Sequence, residues 1–153
     1  MLSSSQTIRI HRLVSPATVL GPYIRACIWV QGCSTNCKNC ITTEAMAADG
    51  GVEMSLAELS EWVLSRSGIE GITISGGEPL FQENAVLELV KLLKGMDICL
   101  YTGSNLDEVP KEILPFLRYI KVGKYKKELK CSTKPYIGSS NQKFINLLND
   151  KVL

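Results

Sequence analysis

The order in which strand-like and helix-like segments alternate is what most restricts this chain. Thr7-Ile8-Arg9-Ile10-His11-Arg12-Leu13-Val14 alternates with a period of about two and reads as a strand. Arg25-Ala26-Cys27-Ile28-Trp29-Val30-Gln31 is a short apolar run rich in β-formers, a second and more buried strand. Ser55-Leu56-Ala57-Glu58 is a capping box, and Leu56, Leu59 and Val63 follow at helical spacing, with an end near Ser67-Gly68. Gly71-Ile72-Thr73-Ile74-Ser75 is a compact β-branched strand stopped by Gly76-Gly77 and Pro79. Residues 83–94 carry Val86, Leu89, Val90 and Leu93 on one stripe, with Gly95 as C-terminal cap. Asp97-Ile98-Cys99-Leu100-Tyr101-Thr102 is the next strand. Residues 105–117 read as helical, with Pro110 in a first turn. Tyr119-Ile120-Lys121-Val122 is a last short strand, followed by an irregular Lys-rich tail that closes with a helix over 142–148. Strands alternating with helices of about a dozen residues imply βαβ units. The expected fold is α/β, with a parallel sheet of about five to six strands flanked by helices.

At 153 residues, 45% hydrophobic and 21% charged, the chain reads as a single domain over 1–153. Residues 1–6 are expected to be a disordered N-terminus, and the tail 123–153 to pack on or near the core. The length is too small for a full eight-fold β/α barrel, which takes about 250 residues. Seventeen Lys and Arg against 15 Asp and Glu leave a net charge of +2, which argues for neither nucleic acid nor membrane. No apolar run approaches the roughly 20 residues of a membrane span. Met1-Leu2-Ser3-Ser4-Ser5-Gln6 lacks the basic and apolar regions of a signal peptide. A cytoplasmic protein is the expectation.

Six cysteines are present, and three of them, Cys33, Cys37 and Cys40, fall within eight residues as C-x3-C-x2-C directly after the second strand. A domain of this size and apolar content does not need disulfide staples. Three closely spaced thiolates on a polar loop can grip three corners of an iron–sulfur cube, leaving the fourth iron without a protein ligand. The alternative is a structural zinc site with Cys131 or Cys27 as fourth ligand, although zinc sites usually come as two paired knuckles. Cys27 and Cys99, inside strands, read as core; Cys131, in the tail, reads as more accessible.

A second element, Gly76-Gly77-Glu78-Pro79, sits at the C-terminal end of a strand, where parallel α/β sheets bind their ligands. Two glycines let the backbone approach a ligand without an intervening Cβ. Glu78 adds a carboxylate able to meet an ammonium group, and Pro79 fixes the exit. Such a turn is common on its own and gains weight from the cysteine triplet upstream.

Together these motifs resemble the radical S-adenosylmethionine (SAM) superfamily, whose cluster signature is C-x3-C-x2-C and whose motif for the SAM amino group matches Gly76-Gly77-Glu78-Pro79. The resemblance implies an incomplete β/α barrel and a 4Fe-4S cluster held by Cys33, Cys37 and Cys40. Its open iron would chelate the amino and carboxylate groups of SAM. Reductive cleavage would then give methionine and a 5′-deoxyadenosyl radical. Gly21-Pro22 upstream of Arg25, Val30-Gln31-Gly32-Cys33, Leu100-Tyr101-Thr102-Gly103 and Gly138-Ser139-Ser140-Asn141-Gln142 are similar to the activating proteins of anaerobic ribonucleotide reductase. In that family the radical is delivered to a glycine Cα of a partner enzyme. The resemblance further implies Asn39 and Ile41 beside Cys40 near adenine, and Tyr101, Thr102 and Gly103 at SAM ribose or methionine. It implies a flavodoxin- or ferredoxin-type electron donor. Departures are Tyr23 and Asn39, where the family usually has glycine, and Val122-Gly123, where it often has Asp-Gly.

Lys121, Lys124, Lys126, Lys127, Lys130 and Lys134 oppose a single Glu128 and read first as a solvated face, then as a dock for an acidic partner. His11, the lone histidine, reads as structural or exposed, and Trp29 and Trp62 as core. The resulting expectation is an enzyme, a small radical SAM activase acting on a glycyl-radical enzyme. The alternatives are a radical SAM enzyme for another peptide or small molecule, and a non-catalytic zinc or iron–sulfur module. The shortness itself implies a site open on one side, which a macromolecular partner would close.

Overall fold

The computed structural model describes residues 6–32 and 50–153. Its elements in chain order are β1 (Thr7–Ala17), β2 (Arg25–Val30), β3 (Val52–Ser55), α1 (Leu56–Leu64), β4 (Gly71–Gly76), α2 (Glu83–Leu92), β5 (Ile98–Tyr101), β6 (Tyr119–Val122), β7 (Lys143–Asn146) and β8 (Lys151–Val152). Short 3-10 turns cover Pro79–Gln82, Leu106–Glu108, Leu114–Phe116 and Lys127–Leu129. The strands form one eight-stranded sheet in the order β3-β1-β2-β4-β5-β6-β7-β8.

The α/β class matches expectation, but the sheet is mixed and larger than the parallel sheet of five to six strands. Only the centre, β2-β4-β5-β6, is parallel. Antiparallel pairs flank it: β3-β1 and β1-β2 on one side, β6-β7 and β7-β8 on the other. Two helices fall on crossovers of the parallel strands, α1 before β4 and α2 between β4 and β5, as a βαβ unit requires.

The strand period of two gives the sheet two unlike faces. Ile28, Val30, Ile72, Ile74, Ile98, Leu100, Ile120 and Val122 join Leu59, Val63, Val86, Leu89, Val90 and Leu93 of the helical side in the main core. The alternate positions carry Cys99, Tyr101, Tyr119 and Phe144, a second cluster on which Leu20, Tyr136 and Ile137 pack. Phe144 stacks on Tyr119 with ring centroids 5.5 Å apart and meets Tyr101 edge-on at 6.0 Å.

The capping box forms as its sequence predicts: Ser55 Oγ accepts from Glu58 N at 3.0 Å. Two expected helices do not form. Residues 105–117 give only the 3-10 turns Leu106–Glu108 and Leu114–Phe116. Pro110 and Pro115, five residues apart in the sequence, leave no stretch able to complete a helical ladder between them. Residues 142–148 hold the strand β7, paired with β6 in the register Ile120↔Ile145 and Lys121↔Phe144. The tail is therefore less irregular than its lysines imply. Trp29 and Trp62 are half-buried rather than central.

Candidate functional site

The C-terminal ends of the parallel strands converge where the second motif lies. Val30 of β2 is in register with Gly76 of β4, and Tyr101 of β5 with Lys121 of β6. Gly76 has φ +126°, and a Cβ there would overlap the backbone nitrogen and carbonyl oxygen of Val30, so only glycine fits. The turn is then pinned to the end of β2. Gly77 N donates to Val30 O at 3.1 Å, and Glu78 N donates to Gly32 O at 2.8 Å. Gly32 is the residue before Cys33. Cys33 thus follows directly on a residue bonded to the Gly-Gly-Glu turn.

Glu78 is 5% exposed, and its carboxylate meets donors of the fold itself. Oε1 accepts from Gly103 N at 2.7 Å; Oε2 accepts from Leu80 N at 2.9 Å and from Thr102 Oγ1 at 2.8 Å. The carboxylate is a strut between the end of β4 and the end of β5. A carboxylate has about four acceptor positions, so these three donors leave room for one more. Thr102 is buried, and its hydroxyl also accepts from Ser104 N at 3.0 Å. Lys121 Nζ donates to Thr102 O at 3.1 Å and lies 5.6 Å from the centre of the Tyr101 ring.

Past β6, Gln142 folds residues 138–142 onto the same end of the sheet. Its Oε1 accepts from Gly138 N and Ser139 N, and its Nε2 donates to Gly123 O at 2.9 Å. A cleft of about 330 Å³ lies beside Gly103, bordered by Ser104, Lys124, Lys126 and Asn141. Gly76, Gly77, Glu78, Pro79, Tyr101, Thr102 and Gly103 therefore gather at one end of the sheet. Glu78, Pro79, Tyr101 and Thr102 are buried; Gly76, Gly77 and Gly103 are half-exposed, so it is glycine backbone that faces outward. Cys33, Cys37, Cys40, Asn39 and Ile41 lie outside the described residues. The chain returns from that segment at Gly50 and Gly51, both tied to Arg9 of β1, whose Nε donates to Gly50 O at 2.9 Å.

The described cysteines behave as core or surface, not as a ligand set. Burial pushes the Cys27 thiol up to about 11 and the Cys99 thiol up to about 12, which disfavours the thiolate a metal needs. Cys131 is half-buried, and hydrogen bonding from Thr133 lowers its thiol. No group of three His, Cys, Asp or Glu among the described residues could hold a metal ion. A Cβ-free backbone turn beside a carboxylate suits an amino-acid-like ligand carrying an ammonium, and its bond to Gly32 brings that turn to the root of the cysteine loop.

Sequence reasoning passed over the polar centre at the opposite end of the sheet. Arg25, fully buried, donates to Thr73 Oγ1, Pro22 O, Ile72 O and Asp97 O, and pairs with Asp97 Oδ1 at 2.7 Å. Its partners lie up to 72 positions away in the chain, so no local pattern could announce it. His11 is half-buried on β1. Lys124, Lys126, Lys127, Lys130 and Lys134 are exposed, whereas Lys121 is half-buried and engaged at the site. No helix among the described residues is long and apolar enough to cross a membrane.

Residues 19–145 match the family described as a 4Fe-4S single cluster domain. The chain is similar to the anaerobic ribonucleoside-triphosphate reductase-activating protein of Enterobacteria phage T4, 33% identical over 134 residues that cover 82% of this chain and 85% of that protein. It is 28% identical to the protein of the same name from Escherichia coli (strain K12) over 148 residues, 86% of this chain and 94% of that one. With the pyruvate formate-lyase-activating enzyme of Clostridium pasteurianum it shares 34% identity over 115 residues, 67% of this chain and 48% of that enzyme.

Proposed function

Because the chain belongs to the 4Fe-4S single cluster domain family, in the company of radical SAM activating proteins, we propose that it is an oxidoreductase that generates a glycyl radical on a partner enzyme. Anaerobic ribonucleotide reductase is the partner its relatives' names favour. The observation that carries this reading is the hydrogen bond from Glu78 N to Gly32 O. It joins the Gly-Gly-Glu turn to the residue from which the three-cysteine loop departs.

In this reading Cys33, Cys37 and Cys40 are the thiolate ligands of the cluster. Asn39 and Ile41, neighbours of Cys40 in the sequence, would contact the adenine. SAM is the second cofactor, bound at the turn formed by Gly76, Gly77, Glu78 and Pro79, with Tyr101, Thr102 and Gly103 completing the site. A reduced cluster held by these cysteines would supply the electron for reductive cleavage of SAM to methionine and a 5′-deoxyadenosyl radical. The chain's own contribution is placement. Glycines at 76 and 77 keep side chains out of the ligand's way, and the Glu78 carboxylate holds Thr102 and Gly103 against the turn. Lys121, with its ammonium on Thr102 O, puts a positive charge at the same end, suited to a carboxylate. The four parallel strands form the inner part of an incomplete β/α barrel within one domain over 1–153. The electron donor is a flavodoxin- or ferredoxin-type protein, and the setting is cytoplasmic.

Anaerobically reconstituted protein, reduced with dithionite, is expected to convert SAM to methionine and 5′-deoxyadenosine. Cys37→Ala is expected to lose both iron and turnover. A wild-type protein that binds iron but leaves SAM intact would overturn the activase reading, and an active Cys37→Ala would overturn the ligand assignment.

A further inference from the structure

One side chain at this end of the sheet bonds to the backbone of Arg9 in β1 and of Gln31, two residues before Cys33. Gln82 ends the 3-10 turn Pro79–Gln82 that begins immediately after Glu78. Its Oε1 accepts from Arg9 N at 2.9 Å, while its Nε2 donates to Arg9 O at 3.0 Å and to Gln31 O at 2.9 Å. A primary amide carries one acceptor oxygen and two donor hydrogens, so these bonds use both of its N–H groups and engage its oxygen. Gln31 N also donates directly to Arg9 O at 2.9 Å, and Gln82 supplies the other half of that pairing, bridging Arg9 N and Gln31 O in place of a peptide group.

Arg9, gripped in this way through its backbone, reaches the other end of the segment with its side chain. Its Nε donates to Gly50 O at 2.9 Å and its Nη2 to Gly51 O at 3.3 Å. The returning chain lies directly on β1: Gly51 has φ +74°, and a Cβ there would meet Ile10 O at 2.5 Å. The exit, at Gln31 and Gly32, and the return, at Gly50 and Gly51, are thus bound to one corner. That corner is bound to the same short turn that presents Gly76, Gly77 and Glu78.

We propose that Gln82 is a positioning residue for the cluster: with Arg9, it holds Gln31 and Gly50, the residues flanking the cysteine-bearing stretch of the sequence, relative to the Gly-Gly-Glu turn. The inference rests on the reading that Cys33, Cys37 and Cys40 hold the cluster. Gln82 acts through the backbone of Arg9 and Gln31. Removing it leaves Arg9 N without its side-chain acceptor and Gln31 O without its Nε2 donor, at the point where the loop begins. Misplacement of reacting groups by about 1 Å is enough to cost about a hundredfold in rate. The spacing between cluster and SAM site is therefore the property most exposed to this change.

The test uses reconstituted holoprotein. Gln82→Met, close in volume and without polar atoms, removes every bond; Gln82→Glu keeps the acceptor for Arg9 N and removes both donations. Both are expected to melt cooperatively and to take up the wild-type amount of iron. Loss of three hydrogen bonds worth about 0.5–1 kcal/mol each corresponds to roughly a 10- to 150-fold change. In Gln82→Met, iron is expected to leave to a chelator faster by about that factor, the KM for SAM to rise, and the electron paramagnetic resonance (EPR) spectrum of the reduced cluster to broaden. Gln82→Glu should fall between it and wild type. An exchange rate and spectrum equal to wild type in Gln82→Met overturn the inference. If Gln82→Met fails to fold, Arg9→Lys is read in the same way, because it removes the bond to Gly50 O while keeping the β1 backbone. A wild type that takes up no iron overturns the cluster reading and this inference together; a wild-type cluster with unchanged variants overturns this inference alone.

Discussion

Replacing Glu78 by glutamine separates a strut from a ligand contact, because the strut works before any cofactor is bound. The native carboxylate presents two acceptor oxygens to three donors: Gly103 N, Leu80 N and Thr102 Oγ1. Glutamine presents one oxygen and one amide. With the amide on the Oε1 side, it faces the Gly103 N–H, donor against donor. With the amide on the Oε2 side, it faces the Leu80 N–H, although the Thr102 hydroxyl can turn to accept. Either way one buried backbone N–H is orphaned, at about 1–3 kcal/mol. The bonds that survive become neutral, and each falls from about 1.5–3 to about 0.5–1.5 kcal/mol. A total loss of about 3–6 kcal/mol follows, a large part of the 5–15 kcal/mol, roughly, that holds a domain together. The assay is urea unfolding of the cofactor-free protein. With a slope of about 1–3 kcal/mol per molar, the midpoint is expected to drop by roughly 1–3 M. Thr102→Val supplies the second arm of a double-mutant cycle, with a coupling of about 0.5–3 kcal/mol expected for residues in direct contact. A midpoint unchanged to within about 0.2 M, with no coupling, would refute the strut and return Glu78 to a purely ligand-binding role.

Two further perturbations address the rest of the sheet. Asp97→Ala strips the carboxylate from buried Arg25 but leaves it four other acceptors. The expected loss is therefore about 2–4 kcal/mol, towards the lower end for breaking a buried pair, seen as a melting point lower by roughly 5–15 °C; an unchanged melting point would contradict this placement of Arg25. Among Cys27, Cys99 and Cys131, native protein at pH 8 should alkylate at Cys131 alone, with Cys27 and Cys99 reacting only on unfolding. Those two thiols also give stability a pH dependence: their folded values, about 11 and about 12, exceed the ordinary thiol value of 9.0. The unfolded chain then loses its protons first, so their contribution is complete below pH 9 and disappears as pH rises through 11 to 12. A denaturation midpoint that climbs across that window would contradict the burial.

Local chemistry made much of the fold legible. β4 and β5 announce themselves by β-branched or apolar runs closed by glycine or threonine, and α1 and α2 by an intact capping box or a single apolar stripe. The misreadings come from segments whose state is decided by partners. Lys143-Phe144-Ile145-Asn146 is too short to show a period, and becomes strand because β6 offers it an edge. Val52–Ser55 likewise becomes β3 by pairing with Thr7–Ile10. Within the site, the residue types and the strand end were visible from the Gly-Gly-Glu-Pro motif. What they do to each other was not. Glu78 finds Thr102 across 24 positions and Gln82 finds Arg9 across 73, and separations of that kind leave no trace in a local pattern.

The most direct test of the activase reading is a glycyl radical made in another protein. Reconstituted, reduced holoprotein is incubated anaerobically with SAM and an anaerobic ribonucleotide reductase, and the partner is examined by EPR. The doublet of a glycyl radical is expected, dependent on SAM and abolished by Cys33→Ala, Cys37→Ala or Cys40→Ala. SAM cleavage that proceeds with no radical on the partner, or a doublet that survives loss of the cysteines, would contradict it.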